Sequence, residues 1–242
     1  MSRLPRGGLI DRDRPLRFTF DGREYGGLAG DTLASALLAN GVALVARSFK
    51  YHRPRGILTA GSEEPNALVT LRSGARAEPN TRATTAELYD GLAATSQNRW
   101  PSLRRDALAI NGLFSPLLVA GFYYKTFMWP AALWERLYEP LIRRAAGLGA
   151  LSGLPDPDSY DCDHGFCDLL VIGAGPAGLA AALAAARGGA RVFLVDGDCR
   201  PGGRLLAEAH EIDAMPGQVW ADAVLAELSA NPRVAVLART AV

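Results

Sequence analysis

From Leu16 the chain alternates, with Leu16, Phe18 and Phe20 apolar, Arg17, Thr19 and Asp21 polar, and Gly22 closing the run. Period-two spacing predicts a strand with one buried face, and Asp21-Gly22 predicts a hairpin turn. In GDTLASALLANG the period lengthens. Leu33, Leu37 and Leu38 share a helical face, Asp31 is placed to cap the start, and Asn40-Gly41 suits the stop. VALVAR and NALVTLRSG read as further short strands. Hairpin, short helix and more strands are the element order of a β-grasp domain, expected within residues 1–95.

The pattern changes over 96–165. WPSLRRDALAINGLF, SPLLVAGFYYKTFMWP and AALWERLYEPLIRRAAG are helix-sized blocks broken by proline and Asn-Gly, and they hold Trp100, Trp129 and Trp134. They predict a packed helical connector, followed by a Gly-, Pro- and Asp-rich hinge, GLGALSGLPDPDSYDCDHG. Ala107 to Tyr124 is free of charge, but Asn111-Gly112 and Ser115-Pro116 interrupt it. A spanning helix needs roughly 20 continuous apolar residues, so a buried helix pair is the preferred reading and no membrane is expected.

Residues 166–242 carry the strongest chemical signal. Leu169 to Ile172 predict a short buried strand, Gly173-x-Gly175-x-x-Gly178 follows at once, and an Ala/Leu-rich helix runs to Arg187. ARVFLVD predicts a second strand that ends on Asp196. Gly173 permits a tight turn, Gly175 a close approach of backbone to pyrophosphate, and Gly178 close packing of helix on strand. Pro176 suits the first helical turn, whose unpaired N–H groups and positive end favour phosphate. Asp196 is placed for ribose hydroxyls and against a 2′-phosphate, which disfavours NADP. NAD and FAD are not separated by this motif. CRPGGRLLAEA, with Gly202, Gly203 and Arg204, is similar to the second glycine pair of flavoproteins with two dinucleotide domains. A helix and a third strand follow. A doubly wound sheet commonly has five or six strands, so the chain reads as an incomplete Rossmann domain.

Composition narrows the classes. A formal charge of +1 over 242 residues makes no general case for a polyanionic partner, so nucleic acid is not expected. Three cysteines, an odd number, fit a reducing compartment, and MSRLPRGGLIDRDRP has no signal-peptide pattern; a cytoplasmic location is expected.

Together, ARSFKYHRPRGILTAGSEEPNALV, the connector, DLLVIGAGPAGLAAALAAARGGARVFLVD and PGGRLL resemble the alpha subunit of heterotetrameric sarcosine oxidases. The resemblance implies an α+β and α/β protein: a 2Fe-2S ferredoxin-like β-grasp domain without its cluster, the connector, then a truncated NAD-binding Rossmann domain. It places NAD on Gly173, Gly175, Ala177, Gly178, Asp196, Gly197, Asp198 and Arg204. Two alternatives stay open, Asp198 as a solvated loop carboxylate and Arg204 as a helix-start surface charge. It further implies beta, gamma and delta partner subunits, with FAD and FMN held through beta and tetrahydrofolate through a C-terminal domain absent here. The implied reaction is oxidative demethylation of sarcosine to glycine, yielding hydrogen peroxide with formaldehyde or 5,10-methylenetetrahydrofolate. The isolated chain is expected to be inactive. The alternatives are a subunit of a related amine, opine or cyanogenic oxidoreductase, or a non-catalytic nucleotide-binding fragment.

The basic run RSFKYHRPRG, Arg47 to Gly56, stands where a ferredoxin-like domain would hold its thiolates, and it contains no cysteine. Its readings are a structural role, with the arginines pairing to acids and Phe49 and Tyr51 packing, or a contact with phosphate or an acidic partner. Cys162, His164 and Cys167 lie close in sequence without the spacing of a zinc set, so no metal is expected. Glu63-Glu64 reads as a solvated turn. No catalytic residue is assigned.

Overall fold

The computed structural model describes residues 3–118, 120–121, 129–145 and 147–242. The chain divides into two compact units, Met1–Asp158 and Ser159–Val242.

The first unit opens with β1 (Asp11–Phe20) and β2 (Arg23–Ala29), an antiparallel hairpin in which Phe18 faces Tyr25. Asp21 and Gly22 turn it with φ of 50° and 77°, the left-handed pair that a two-residue turn between right-twisted strands requires. Helix α1 (Leu33–Ala39) follows, then a two-residue pair β3 (Ala46–Arg47) and β4 (Pro54–Arg55). β5 (Leu68–Leu71), β6 (Glu78–Arg82) and β7 (Leu92–Ser96) complete a sheet of order β2-β1-β7-β5-β6. β1 and β7 run parallel at its centre, with Phe18 beside Leu92. Phe18, Phe20, Val69, Leu92, Leu33 and Leu37 form the core between sheet and helix. This is the β-grasp arrangement, with VALVAR reduced to the two residues of β3.

Two details of α1 differ from expectation. Thr32, not Asp31, is the N-cap, in a reciprocal capping box with Ser35. Asp31 is buried instead, held bidentately by Arg3 at 2.7 and 2.5 Å and accepting from Leu28 N. Leu38 points to solvent while Leu33 and Leu37 are buried, because the seven-residue helix turns one narrow face to the sheet.

The first unit continues past residue 95. Residues Ala107–Leu117 form tight 3-10 turns broken at Phe114, and Trp134–Tyr138 form a π-helical turn leading into α2 (Glu139–Ala145). The third expected block is helical from Ala131 to Ala145, whereas the first makes only broken turns, and Trp100 and Trp129 are 62% and 84% exposed. Asn111-Gly112 and Ser115-Pro116 interrupt Ala107–Leu117 too often for an α-helix to propagate. Half of the second block, 119 and 122–128, lies outside the described residues. No described helix is long and apolar enough to cross a membrane.

The second unit is a parallel three-stranded sheet of order β12-β9-β8, built from β8 (Leu169–Ile172), β9 (Val192–Val195) and β12 (Val234–Leu237). Helix α3 (Pro176–Arg187) connects β8 to β9. A short hairpin of β10 (Glu211–Ile212) and β11 (Met215–Pro216) precedes α4 (Gly217–Ala230), which leads to β12. Leu179, Ala182, Leu194, Val224 and Leu228 join the helices to the sheet. This is a Rossmann half. β8, expected to be buried, is its edge strand, with Leu170 and Ile172 exposed, since no neighbour covers that side among the described residues.

Candidate dinucleotide site

The three glycines stand at the carboxyl end of β8. Gly173 has φ of 94°, a left-handed conformation that turns the chain from strand to helix. At Gly178 an added Cβ would lie 1.8 Å from the Gly173 carbonyl oxygen, so only hydrogen fits there. At Gly175 the same construction meets nothing within 4 Å. Gly173 thus serves the turn and Gly178 the packing, while Gly175 leaves open space beside the backbone. Gly175 caps α3 without any side-chain hydrogen bond, and Pro176 has no N–H to satisfy. The amides of Ala177 and Gly178 therefore stand at a helix start, where first-turn N–H groups lack intrahelical partners and the dipole is positive.

Asp196 closes β9 and reaches back to this turn. Its Oδ2 accepts from the Ala174 amide, and its Oδ1 from Asp198 N at 2.7 Å. A carboxylate has about four lone-pair sites, so two remain for further donors. Backbone bonds from Thr240 N to Asp196 O and from Arg239 N to Asp198 O fix the Asp196–Asp198 segment against the chain after β12. Asp198 is exposed, yet lost hydration at its carboxyl, then repulsion from Asp196, raises its pKa above the ordinary aspartate value. A Cβ added at Gly197 would meet nothing within 4 Å.

The second glycine pair also comes to this place. Gly202 N donates to Ala174 O at 2.8 Å, and a Cβ on Gly203 would sit 3.0 Å from Gly175 Cα. Arg204, directly after, pairs its Nε with Glu208 Oε1 at 2.7 Å along one helical turn. The structure therefore brings Gly173 to Gly178, Asp196 to Asp198 and the Gly202–Gly203 turn together, with the Arg204 guanidinium engaged by Glu208. The amide of Ala174 is the site member that the motif alone did not single out. No glycine marks it, and only the carboxylate arriving from β9 gives it a role.

The first unit has a different polar centre. Glu64, expected in a solvated turn, is buried at 1% exposure. Its carboxylate accepts from Leu58 N, Thr59 N, Asn66 N and Ala67 N, at 2.7, 2.7, 2.7 and 3.2 Å. Burial pushes its pKa up, but the four amides outweigh this and hold it below the ordinary glutamate value. Part of the basic run turns inward too, while Arg53 and Arg55 stay exposed. Arg47 donates to the carbonyls of Leu103, Arg104 and His52, and Tyr51 Oη to that of Leu118. His52 Nδ1 lies 2.7 Å from Asp106 Oδ2, both side chains being inaccessible. Arg47 thus grips carbonyls rather than the acids expected, and Phe49 stays exposed.

Comparison with known proteins adds names to these shapes. Residues 13–99 match the 2Fe-2S iron-sulfur cluster binding domain family, and residues 168–233 the FAD dependent oxidoreductase family. The chain is 66% identical over 238 residues to a sarcosine oxidase subunit alpha from Rhizobium meliloti, and 38% identical over 240 residues to one from Corynebacterium. Each alignment covers 98% of this chain. The chain is a relative of sarcosine oxidase alpha subunits. It spans 24% and 20% of the length of those two proteins. Among solved structures, an L-proline dehydrogenase from P. horikoshii has the same fold, with a TM-score of 0.54 and 16% identity over 95% of this chain and 34% of that one.

The residues matched to the iron-sulfur family carry no ligands for a cluster. A cluster needs four thiolates, and Cys162, Cys167 and Cys199 all lie outside residues 13–99. Among the described residues no group of three His, Cys, Asp or Glu side chains stands ready for a metal.

Proposed function

We propose that this chain is the N-terminal part of the alpha subunit of an oxidase complex acting on sarcosine, and that its second unit binds NAD. The observation that carries the nucleotide reading is the uncapped start of α3 beside Gly175, with the Asp196 carboxylate turned onto the same loop. The amides of Gly175, Ala177 and Gly178 would receive the pyrophosphate, and the spare lone pairs of Asp196 the ribose hydroxyls. Gly197 lets the sugar approach without a side chain in the way. Asp198 adds a second acid that opposes a 2′-phosphate, which favours NAD over NADP. Arg204 would have to exchange Glu208 for a phosphate oxygen. When bound, NAD supplies a hydride-accepting ring. The residues named here hold its other end.

On this reading the complex converts sarcosine, water and oxygen into glycine, formaldehyde and hydrogen peroxide. Tetrahydrofolate, where present, takes the carbon as 5,10-methylenetetrahydrofolate. FAD and FMN belong to the beta subunit, with gamma and delta completing a cytoplasmic assembly. The extent of identity along the whole chain supports sarcosine over other amines. The test is nucleotide extraction from the assembled enzyme. NAD is expected in proportion to the alpha subunit, and Asp196→Ala should weaken its retention about 10-fold or more while leaving flavin unchanged. Loss of flavin instead, with no nicotinamide in the parent enzyme, would assign the site to FAD.

A further inference from the structure

The second glycine turn carries an ion pair that has to open before Arg204 can meet a phosphate. Gly203 lies so close to Gly175 that an added Cβ would sit 3.0 Å from the Gly175 Cα. Arg204 follows directly, so its long, flexible stem starts beside the turn assigned to the pyrophosphate. Its Nε donates to Glu208 Oε1 at 2.7 Å. The other carboxylate oxygen, Oε2, lies 3.0 Å from His210 Nε2. Glu208 thus stands between two basic side chains, one oxygen for each. The backbone fixes this spacing. The amides of Ala207 and Glu208 both donate to Arg204 O at 3.0 Å, and Gly217 N donates to His210 O at 2.7 Å. Leu205, next to Arg204, is buried in the core of the second unit.

We propose that Glu208 is an internal competitor for the nucleotide diphosphate: its carboxylate holds the Arg204 guanidinium until the diphosphate takes it over. The proposal rests on the nucleotide reading above and adds a residue that lowers the affinity of that site. Two features make Glu208 a replaceable partner. Its side chain is 31% exposed and that of Arg204 74%, whereas Glu64, which no ligand displaces, is buried and answered by four amides. An exposed pair four residues apart is weak, while guanidinium on phosphate makes short, charge-assisted and frequently bidentate bonds. The exchange therefore runs toward the phosphate. His210 also stays beside the carboxylate when the guanidinium departs, so no charge is left without a neighbour.

The experiment uses the assembled enzyme with full-length alpha, stripped of nucleotide and titrated with NAD in a calorimeter. Glu208→Gln should tighten NAD about 3-fold, the strength of a surface ion pair, while the melting temperature stays at the parent value. In an Arg204→Ala background the same substitution should leave NAD affinity unchanged, because no guanidinium remains to be released. This double-mutant comparison separates competition from simple charge. Parent-like affinity in Glu208→Gln would overturn the proposal. Equal tightening in the Arg204→Ala background would overturn it too, since the carboxylate would then act by plain repulsion of the diphosphate. A parent enzyme that takes up no NAD would defeat the nucleotide reading itself, whereas NAD uptake with no response to Glu208→Gln defeats this proposal alone.

Discussion

Two loops in this protein solve the same problem in opposite ways. Each must satisfy a cluster of backbone amides away from regular structure. The loop Leu58–Ala67 fills its own centre with the Glu64 carboxylate, so four amides are answered internally. The Gly173–Gly178 turn has no such side chain at the start of α3 and meets open space at Gly175. A loop that supplies its own anion is a structural element; one in which Asp196 answers only Ala174 and no side chain caps the start of α3 is, on the proposed function, a place for a foreign one. The contrast separates the ferredoxin-like unit, which has no thiolates to hold a cluster, from the unit proposed to bind a nucleotide.

The largest break in that contrast comes from Gly178→Val. Its Cβ would strike the Gly173 carbonyl at 1.8 Å, and backbone cannot yield as a side chain end can. The second unit should lose about 3 kcal/mol or more and all nucleotide, while the first unit melts as before; calorimetry resolving both units checks this. Next comes Glu64→Ala, which leaves the amides of Leu58, Thr59, Asn66 and Ala67 buried and unanswered. The first unit should lose about 3 kcal/mol, with NAD retention untouched, measured by denaturant titration.

Acid sharpens the same point. Because the folded pKa of Glu64 is lowered, its stabilisation is complete above the unfolded glutamate value of 4.5. It fades as pH falls below that value and is lost through the lower folded one. Glu64→Gln should therefore flatten the acid limb of the first unit's stability curve. The smallest effect is expected from Arg204→Ala. Its pair with Glu208 is on the surface, so stability should change by less than about 1 kcal/mol. A drop in NAD affinity larger than about 10-fold would show that the guanidinium leaves Glu208 for the phosphate when the nucleotide binds.

The amino-acid sequence by itself determined what depends on neighbours along the chain. The alternation of Leu16, Phe18 and Phe20, the Asp21-Gly22 turn, and the strand–glycine–helix–strand order around Gly173 are local patterns, and each appears where its spacing puts it. Tertiary structure decided what depends on distant backbone. Glu64 looks like half of a solvated Glu-Glu pair until four amides converge on it. Asp31 looks like a cap until Arg3 arrives from the terminus. The basic run reads as arginines seeking acids until Arg47 meets the carbonyls of Leu103 and Arg104 and the acid, Asp106, goes to His52. The physical reason is the same throughout. Side-chain periodicity is written residue by residue, whereas the partner of a buried charge is chosen only when the chain closes and water is removed.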